Sequence, residues 1–298
     1  MNLTDPIFSD ANAAREHLEA LHWPDGAFCP HCGSVDRITK MKGKSTRPGV
    51  YKCNACTKFF TVTVGTIFED SKIPLNKWLL AFRLMSSSKK GISAHQMGRS
   101  LGITYKSAWF LCHRIRLSMT PANPAPLGGP DKVVEADETY VGGKAKNRAF
   151  RSPRAKQPVV ALVERDGHVR SFHVAAKQLR PLILTHVLPT SYLMTDESGV
   201  YSRVGREFHG HGTVNHSASQ YVTTGGFKHS NTVENFFSIF KRGVIGTYHH
   251  MSEAHLARYT AEFDFRYNHR TVNDAARADA ALIGAVGKRL TYRRANAA

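Results

Sequence analysis

An α/β core preceded by a small cysteine-bearing ribbon and a helical module is the fold that this 298-residue sequence predicts, and three observations carry the prediction. Four of its five cysteines fall in two C-x-x-C pairs among glycine, proline and β-branched residues. Helical periodicity takes over between Pro74 and Met119. From Lys132 onward strand and helix patterns alternate, as they do where helices cover a sheet. The expected divisions are an N-terminal helix and ribbon (1–65), a helix-turn-helix-like region (66–120), a linker (121–130), the α/β core (131–275) and a C-terminal tail (276–298).

Composition narrows the partners. Lys and Arg number 41 against 23 Asp and Glu, a formal net charge of +18. Charge of that sign and size favours a polyanion, nucleic acid first, although it is also compatible with a merely soluble basic protein. A hydrophobic content of 42% is enough for a buried core. No apolar run approaches the roughly 18 residues of a membrane span, and Met1 to Ala20 contains no apolar leader. The expected setting is cytoplasmic and nucleoid-associated, with no membrane partner.

The first element is a short amphipathic helix ending near Leu21, with Asp10 as its N-cap and Ala14, Leu18 and Leu21 as its apolar stripe. Next come Cys29-Pro-His-Cys32 and Cys53-Asn-Ala-Cys56, separated by twenty residues. Four thiolates in two tight turns meet the tetrahedral preference of structural Zn2+. Without an export signal, metal is favoured over disulfides. A closed four-sulfur site has no open position, so its zinc stabilises a fold rather than catalysing. Cys112 lies in an apolar helical pattern and reads as a core residue, and His31 reads as exposed.

Ile92 to Arg116 has the pattern of a helix-turn-helix. Ser93 caps one helix, Gly102 supplies the turn, and Thr104 caps a second helix whose stripe is Ala108, Leu111, Cys112 and Ile115. This leaves Tyr105, Lys106, His113, Arg114 and Arg116 to meet a DNA backbone or base edges. A plain helical pair with a solvated basic face fits the same pattern. The helix Leu75 to Met85 would complete a three-helix unit.

Pro121 to Pro130 (PANPAPLGGP) has linker composition. Beyond it KVVEADETYV reads as a strand, PVVALVERDGHVRSFHVA as two strands turning at Asp166-Gly167, Gln178 to Leu188 as a helix, SYLMTDE as a short strand, and Thr232 onward as a long amphipathic helix.

Three acids stand out in this core. Asp137 and Asp196 lie at or near the ends of apolar strands, and Glu234 lies on the helix NTVENFFSIFKRGV. At about 100° per residue, Val233, Phe236, Phe237 and Phe240 share one face of that helix, while Asn231, Glu234, Ser238 and Lys241 form a polar stripe. Two carboxylates on neighbouring strands and a third on a packed helix can hold two hard cations about 4 Å apart, the arrangement that drives in-line attack on phosphorus. Taken singly, such residues more often cap or face solvent. Glu135 shares the pleat side of Asp137, so a register ambiguity stays open, whereas Glu138 and Glu197 should point away. The run 142–156 follows, with six basic residues and no acid: Lys144, Lys146, Arg148, Arg151, Arg154 and Lys156. It reads as a DNA-gripping loop or a disordered basic segment.

Together these pieces resemble the IS1595-type (ISXO2-like) insertion-sequence transposases. The likeness rests on the four-cysteine ribbon, EADETYVGGK, MTDESGVY, HSNTVENFFSIFKRGVIGTYHH, EFDFRYNHR at Glu262 to Arg270 and GKRLTYR at Gly287 to Arg293, and covers nearly the whole chain. The resemblance implies a ribonuclease-H-like core and a dependence on Mg2+ or Mn2+. It also implies cleavage and strand transfer at the terminal inverted repeats of a mobile element. Asp137, Asp196 and Glu234 match the acidic triad, and Lys241 the basic residue seven positions after the Glu. Members carry Asn or Glu in the third position; Glu234, being anionic, takes that role, with Asn231 as accessory. The implied partners are double-stranded terminal-repeat and target DNA, with a homodimer or higher oligomer pairing two ends. Two other readings are a non-catalytic DNA-binding regulator, which leaves the acidic half unexplained, and a structure-selective nuclease on the same core.

Overall fold

The structure, a computed structural model, describes residues 2–142, 156–174, 178–214, 222–223 and 227–291. In chain order its elements are α1 (Ala11–His22), β1 (Ile38–Lys40), β2 (Tyr51–Cys53), β3 (Phe59–Phe60), α2 (Leu75–Ser87), α3 (Ala94–Leu101) and α4 (Tyr105–Ser118). There follow β4 (Val133–Val141), β5 (Gln157–Glu164), β6 (Val169–His173), α5 (Leu179–His186), β7 (Tyr192–Asp196) and β8 (Gly210–Val214). Then come β9 (Val222–Thr223), β10 (Lys228–His229), α6 (Asn231–Gly243), α7 (Glu253–Asn268) and α8 (Asp274–Ile283). The chain forms two compact units, one of residues 1–88, 92–121 and 272–298, the other of 89–91 and 122–271.

In the first unit the expected caps form. Asp10 accepts from the N–H groups of Asn12 and Ala13 at the start of α1, Ser93 from Gln96 on α3, and Thr104 from Ser107 on α4. Gly102 ends α3 at φ 60°, a left-handed position that glycine occupies without steric cost. Strands β1, β2 and β3 form an antiparallel sheet that pairs Ile38 with Cys53 and Tyr51 with Phe60. Trp23 packs edge-on against both Tyr51 and Phe60.

The stretch 276–298 was expected to be a tail, and its described residues begin instead inside a packed helix. Asn273 caps α8 through the N–H of Ala276, and Ala278, Ala281 and Leu282 are buried. The helix packs against α1, α2 and α4 because its alanine-rich face allows close approach, a feature that reads as featureless in a short sequence window. Past it, Gly287 donates to the carbonyl of Gly65.

The second unit is built on a five-stranded sheet in the order β6-β5-β4-β7-β8, with β4, β5 and β6 antiparallel and β7 and β8 parallel to β4. Strand alternation sorts its side chains. Val141, Val159, Ala161, Val163 and Val169 meet Val233, Phe236, Phe237 and Phe240 of α6 and Leu256 and Phe263 of α7. The opposite face carries Val134, Ala136, Val160, Leu162 and Leu193 against Leu179 and Ile183 of α5 and Tyr201. Helices therefore cover both faces of a mixed sheet. The linker expected over 121–130 is shorter than its composition implied. Leu127 is buried, donates to the carbonyl of His186 and accepts from Leu188, because one apolar side chain in a Pro/Gly run suffices to dock it. Gly128 follows at φ 84°, where a Cβ would stand 2.0 Å from the Ser191 hydroxyl.

Candidate active site and metal centre

The ribbon brings its four cysteines together. Cys29 and Cys32 occupy one turn, closed by the Gly33 N–H on the Cys29 carbonyl with Gly33 at φ 75°. Cys53 ends β2, and Cys56 lies in the turn before β3. The Sγ atoms of Cys29 and Cys56 are 3.6 Å apart, and those of Cys32 and Cys53 are 3.7 Å apart. A tetrahedron with metal–sulfur bonds of about 2.3 Å has edges of about 3.8 Å, so the donor set fits a zinc ribbon. Among the described residues this is the one group of potential ligands gathered within 4.8 Å. Cys112 is a buried core residue and His31 is exposed, as expected.

In the α/β unit, β4 pairs in parallel with β7, Glu135 opposite Met194. Asp137 and Asp196 each lie two residues beyond that last pair, and the charge of Asp196 reaches Asp137. The Asp137 carboxylate accepts the Glu138 N–H at 2.7 Å, Asp196 accepts the Ser198 N–H at 3.1 Å, and Glu234 accepts the Ser230 hydroxyl at 2.8 Å. Burial pushes the Asp137 carboxyl up to about 6. The Glu138 N–H opposes that shift, and the charges of Glu138, Asp196 and Glu234 add to it. Three acids from two strands and a helix thus act on one carboxyl. Their oxygens are not drawn within 4.8 Å of one another, as the cysteine sulfurs are.

Asp137 and Glu234 line a cavity of about 730 Å³ together with Ser238 and three cations, Lys90, Lys241 and Arg242. Asp196 and Asn231 are not among its lining residues. The polar stripe on α6 therefore reaches the cavity through Glu234, Ser238 and Lys241, while Asn231 is exposed at the helix start. Neither Lys90 nor Arg242 was singled out from sequence. Lys90 lies 47 positions before Asp137, in a stretch without helical or strand periodicity.

Glu135 does different work. It is fully buried and accepts from the N–H groups of Thr232 and Val233, from the Thr232 hydroxyl and from Arg165 Nε, at 2.6 to 3.0 Å. Arg165 also donates to the carbonyls of Phe227 and His229. With its oxygens occupied in this way, Glu135 anchors the first turn of α6, one residue from Glu234. The visible signal was a carboxylate two residues before Asp137 in an otherwise apolar strand.

One expectation holds with an addition, and another needs correction. Glu138 was expected to point away from the site. It does face the opposite side, where the Tyr201 hydroxyl donates to it, yet it is close enough that its charge raises Asp137 and the charge of Asp196 raises Glu138. Both residues lie in the middle of β4, and pleating separates adjacent positions of a strand by only a few ångströms. Arg114 and Arg116, with His113, were expected to meet DNA and are buried instead. Arg114 donates to the carbonyls of Leu290 and Glu69 and lies over the Phe110 ring, because this half of α4 is enclosed within its own unit. Tyr105 and Lys106, at the other end of α4, are exposed. In the basic run, Lys156 is exposed, while Lys144, Lys146, Arg148, Arg151 and Arg154 lie outside the described residues.

Residues 9–58 match the transposase zinc-ribbon domain of the IS1595 type, and residues 126–268 match the ISXO2-like transposase domain. An uncharacterized protein in transposable element ISH50 of Halobacterium salinarum is 25% identical over 284 residues, spanning 87% of this chain and 91% of that protein. No helix among the described residues is long and apolar enough to cross a membrane.

Proposed function

We propose, for a chain that belongs to the ISXO2-like transposases of the IS1595 type, that Asp137, Asp196 and Glu234 are its catalytic carboxylates and that it cleaves and rejoins DNA at the terminal repeats of an insertion sequence. The observation that carries this reading is that Asp137 and Asp196 lie on neighbouring parallel strands, each two residues past the last paired positions Glu135 and Met194, with Glu234 lining the same cavity as Asp137. The sheet order, with three antiparallel strands and two more parallel to the central one, supports a ribonuclease-H-like core.

The donor set is all oxygen and anionic, which suits Mg2+ or Mn2+. Bound there, two such cations would activate a water or a 3′-hydroxyl and stabilise the departing oxygen. The protein's own groups do the rest. Lys90, Lys241 and Arg242 hold the phosphate backbone over the carboxylates, and the Glu135–Arg165 pair keeps α6 in position so that Glu234 stays aimed at the cavity. Cys29, Cys32, Cys53 and Cys56 hold a structural Zn2+. Tyr105 and Lys106 at the start of α4, with Lys156, supply DNA contacts, and two element ends are brought together by two copies of the chain.

The test is to incubate the full chain with duplex DNA carrying the element's ends and Mn2+ or Mg2+, comparing wild type with Asp196→Asn and Asp137→Asn on a sequencing gel. Metal-dependent cleavage and joined products that both substitutions abolish, with DNA binding retained, support the reading. Cleaved ends without joined products would favour a nuclease. Biological activity that survives both substitutions would favour a non-catalytic regulator.

A further inference from the structure

The helix that carries Glu234 does not stop cleanly. Past Gly243 it widens into a single π-type turn, Val244–Tyr248, closed by the His249 N–H on the Val244 carbonyl at 2.8 Å. Such turns are rare and often sit at functional sites. Tyr248 fixes this one from behind, its hydroxyl donating to Glu262 at 2.7 Å and its ring packing edge-on against Tyr259. The front of the turn is bare. Ile245 is 73% exposed, the most exposed large apolar side chain among the described residues, and a Cβ built on neighbouring Gly246 meets nothing within 4 Å.

A single exposed isoleucine is ordinary on a protein surface. Its position here is not. Ile245, Gly246 and Thr247 line the same cavity as Asp137 and Glu234, beside Lys90, Lys241 and Arg242. Three cations at a cavity wall match the phosphates of a DNA strand. An apolar side chain next to them gains nothing from a phosphate, and on a bound DNA strand the surface that can cover it is the faces of bases. Apolar wedges of this kind separate stacked base pairs and bend the duplex at modest unstacking cost.

We propose that Ile245 is such a wedge: it enters the base stack next to the phosphate that Asp137 and Glu234 act on, opening the duplex there. The proposal rests on the transposase reading above and adds to it how the duplex is presented.

The experiment uses the full chain and duplex DNA bearing the element's terminal repeat, with 2-aminopurine placed at successive positions across the outer end of the repeat and its flank. Binding of wild type is expected to raise fluorescence at one position, and Ile245→Ala to remove most of that rise, whereas Ile245→Phe retains it. Cleavage of the matched duplex by Ile245→Ala is expected to fall about tenfold or more, and a mismatch at the wedge position to restore it, since the unstacking is then already done. Equal fluorescence with Ile245→Ala, or cleavage of the matched duplex at the wild-type rate, overturns the proposal. So does a loss of self-association by Ile245→Ala without DNA in sedimentation, which would assign the residue to contact with a second copy. Absence of metal-dependent cleavage by wild type would sink the transposase reading alone, because the fluorescence measurement needs no cleavage and still decides the wedge.

Discussion

The carboxylate of Glu135 accepts the backbone N–H of Val233 at 3.0 Å, joining a central strand to the first turn of a helix 98 residues further on. Helix starts leave N–H donors unsatisfied and carry partial positive charge, so a buried anion suits this place. Arg165, 2.6 Å away, balances the charge.

Glu135→Ala is therefore expected to destabilise the fold by about 3–5 kcal/mol, since it leaves the Arg165 charge and two helix donors without their partner. Glu135→Gln, which keeps one acceptor, should cost less, and both should lower activity by freeing the turn next to Glu234. Urea denaturation measures this, and a cost for Glu135→Ala below about 1 kcal/mol would mean that the anchor is dispensable.

Cation binding at the acidic site should depend on pH through Asp137. Its carboxyl is pushed up to about 6, first by burial, so below that pH a proton competes with the cation. Mn2+ affinity is expected to be full above pH 6 and to weaken by up to about tenfold per unit as pH falls below it. Electron paramagnetic resonance of free Mn2+ reads the titration directly, and a flat profile between pH 5 and pH 7 (roughly two units across the expected midpoint) speaks against Asp137 as a ligand.

Asp264 on α7 offers a test away from the site. Burial pushes its carboxyl up to about 7, against hydrogen bonds from the N–H and hydroxyl of Ser171 and the charge of Arg170. The unfolded chain ionises near 3.9, so between about pH 4 and 7 the folded state holds a proton that the unfolded state lacks. Stability is thus fullest below that window and declines as pH rises through it, by at most about 1.4 kcal/mol per unit. Asp264→Asn can keep both contacts to Ser171 and should flatten the decline. Denaturation midpoints measured across the window in the presence of a chelator decide it; parallel curves for the two proteins count against the assignment.

Zinc removal should loosen the ribbon. Trp23 packs edge-on against Tyr51 and Phe60, at 5.1 and 5.9 Å; Tyr51 belongs to the strand that Cys53 ends and Phe60 to the strand paired with it. Chelation, or Cys53→Ser, is expected to release one zinc per chain and shift Trp emission to the red as the aromatic cluster opens. If emission and near-ultraviolet dichroism stay unchanged after the metal is gone, the sulfurs do not hold the ribbon together.

Local patterns carried much of this molecule. The caps Asp10, Ser93 and Thr104, the turn at Gly102, the C-x-x-C turns and the strands bearing Asp137 and Asp196 all depend on residues within one or two turns of chain, and short windows display them. Arg114 misled because charge suggests exposure, while it is held by carbonyls 45 and 176 positions away. The C-terminal helix misled for the same reason, since small apolar residues show their worth only against a partner.

The amino-acid order by itself determined the ribbon, the alternation of strands and helices and the family likeness, because each depends on nearest neighbours along the chain. Only the tertiary structure decided which acid serves which purpose. Glu135 and Asp137 share a strand face and differ by two positions, yet one is saturated by a helix start and the other opens on a cavity beside Lys90. Solvation and partner charge set the chemistry of a carboxylate, and both are supplied by residues brought close through folding.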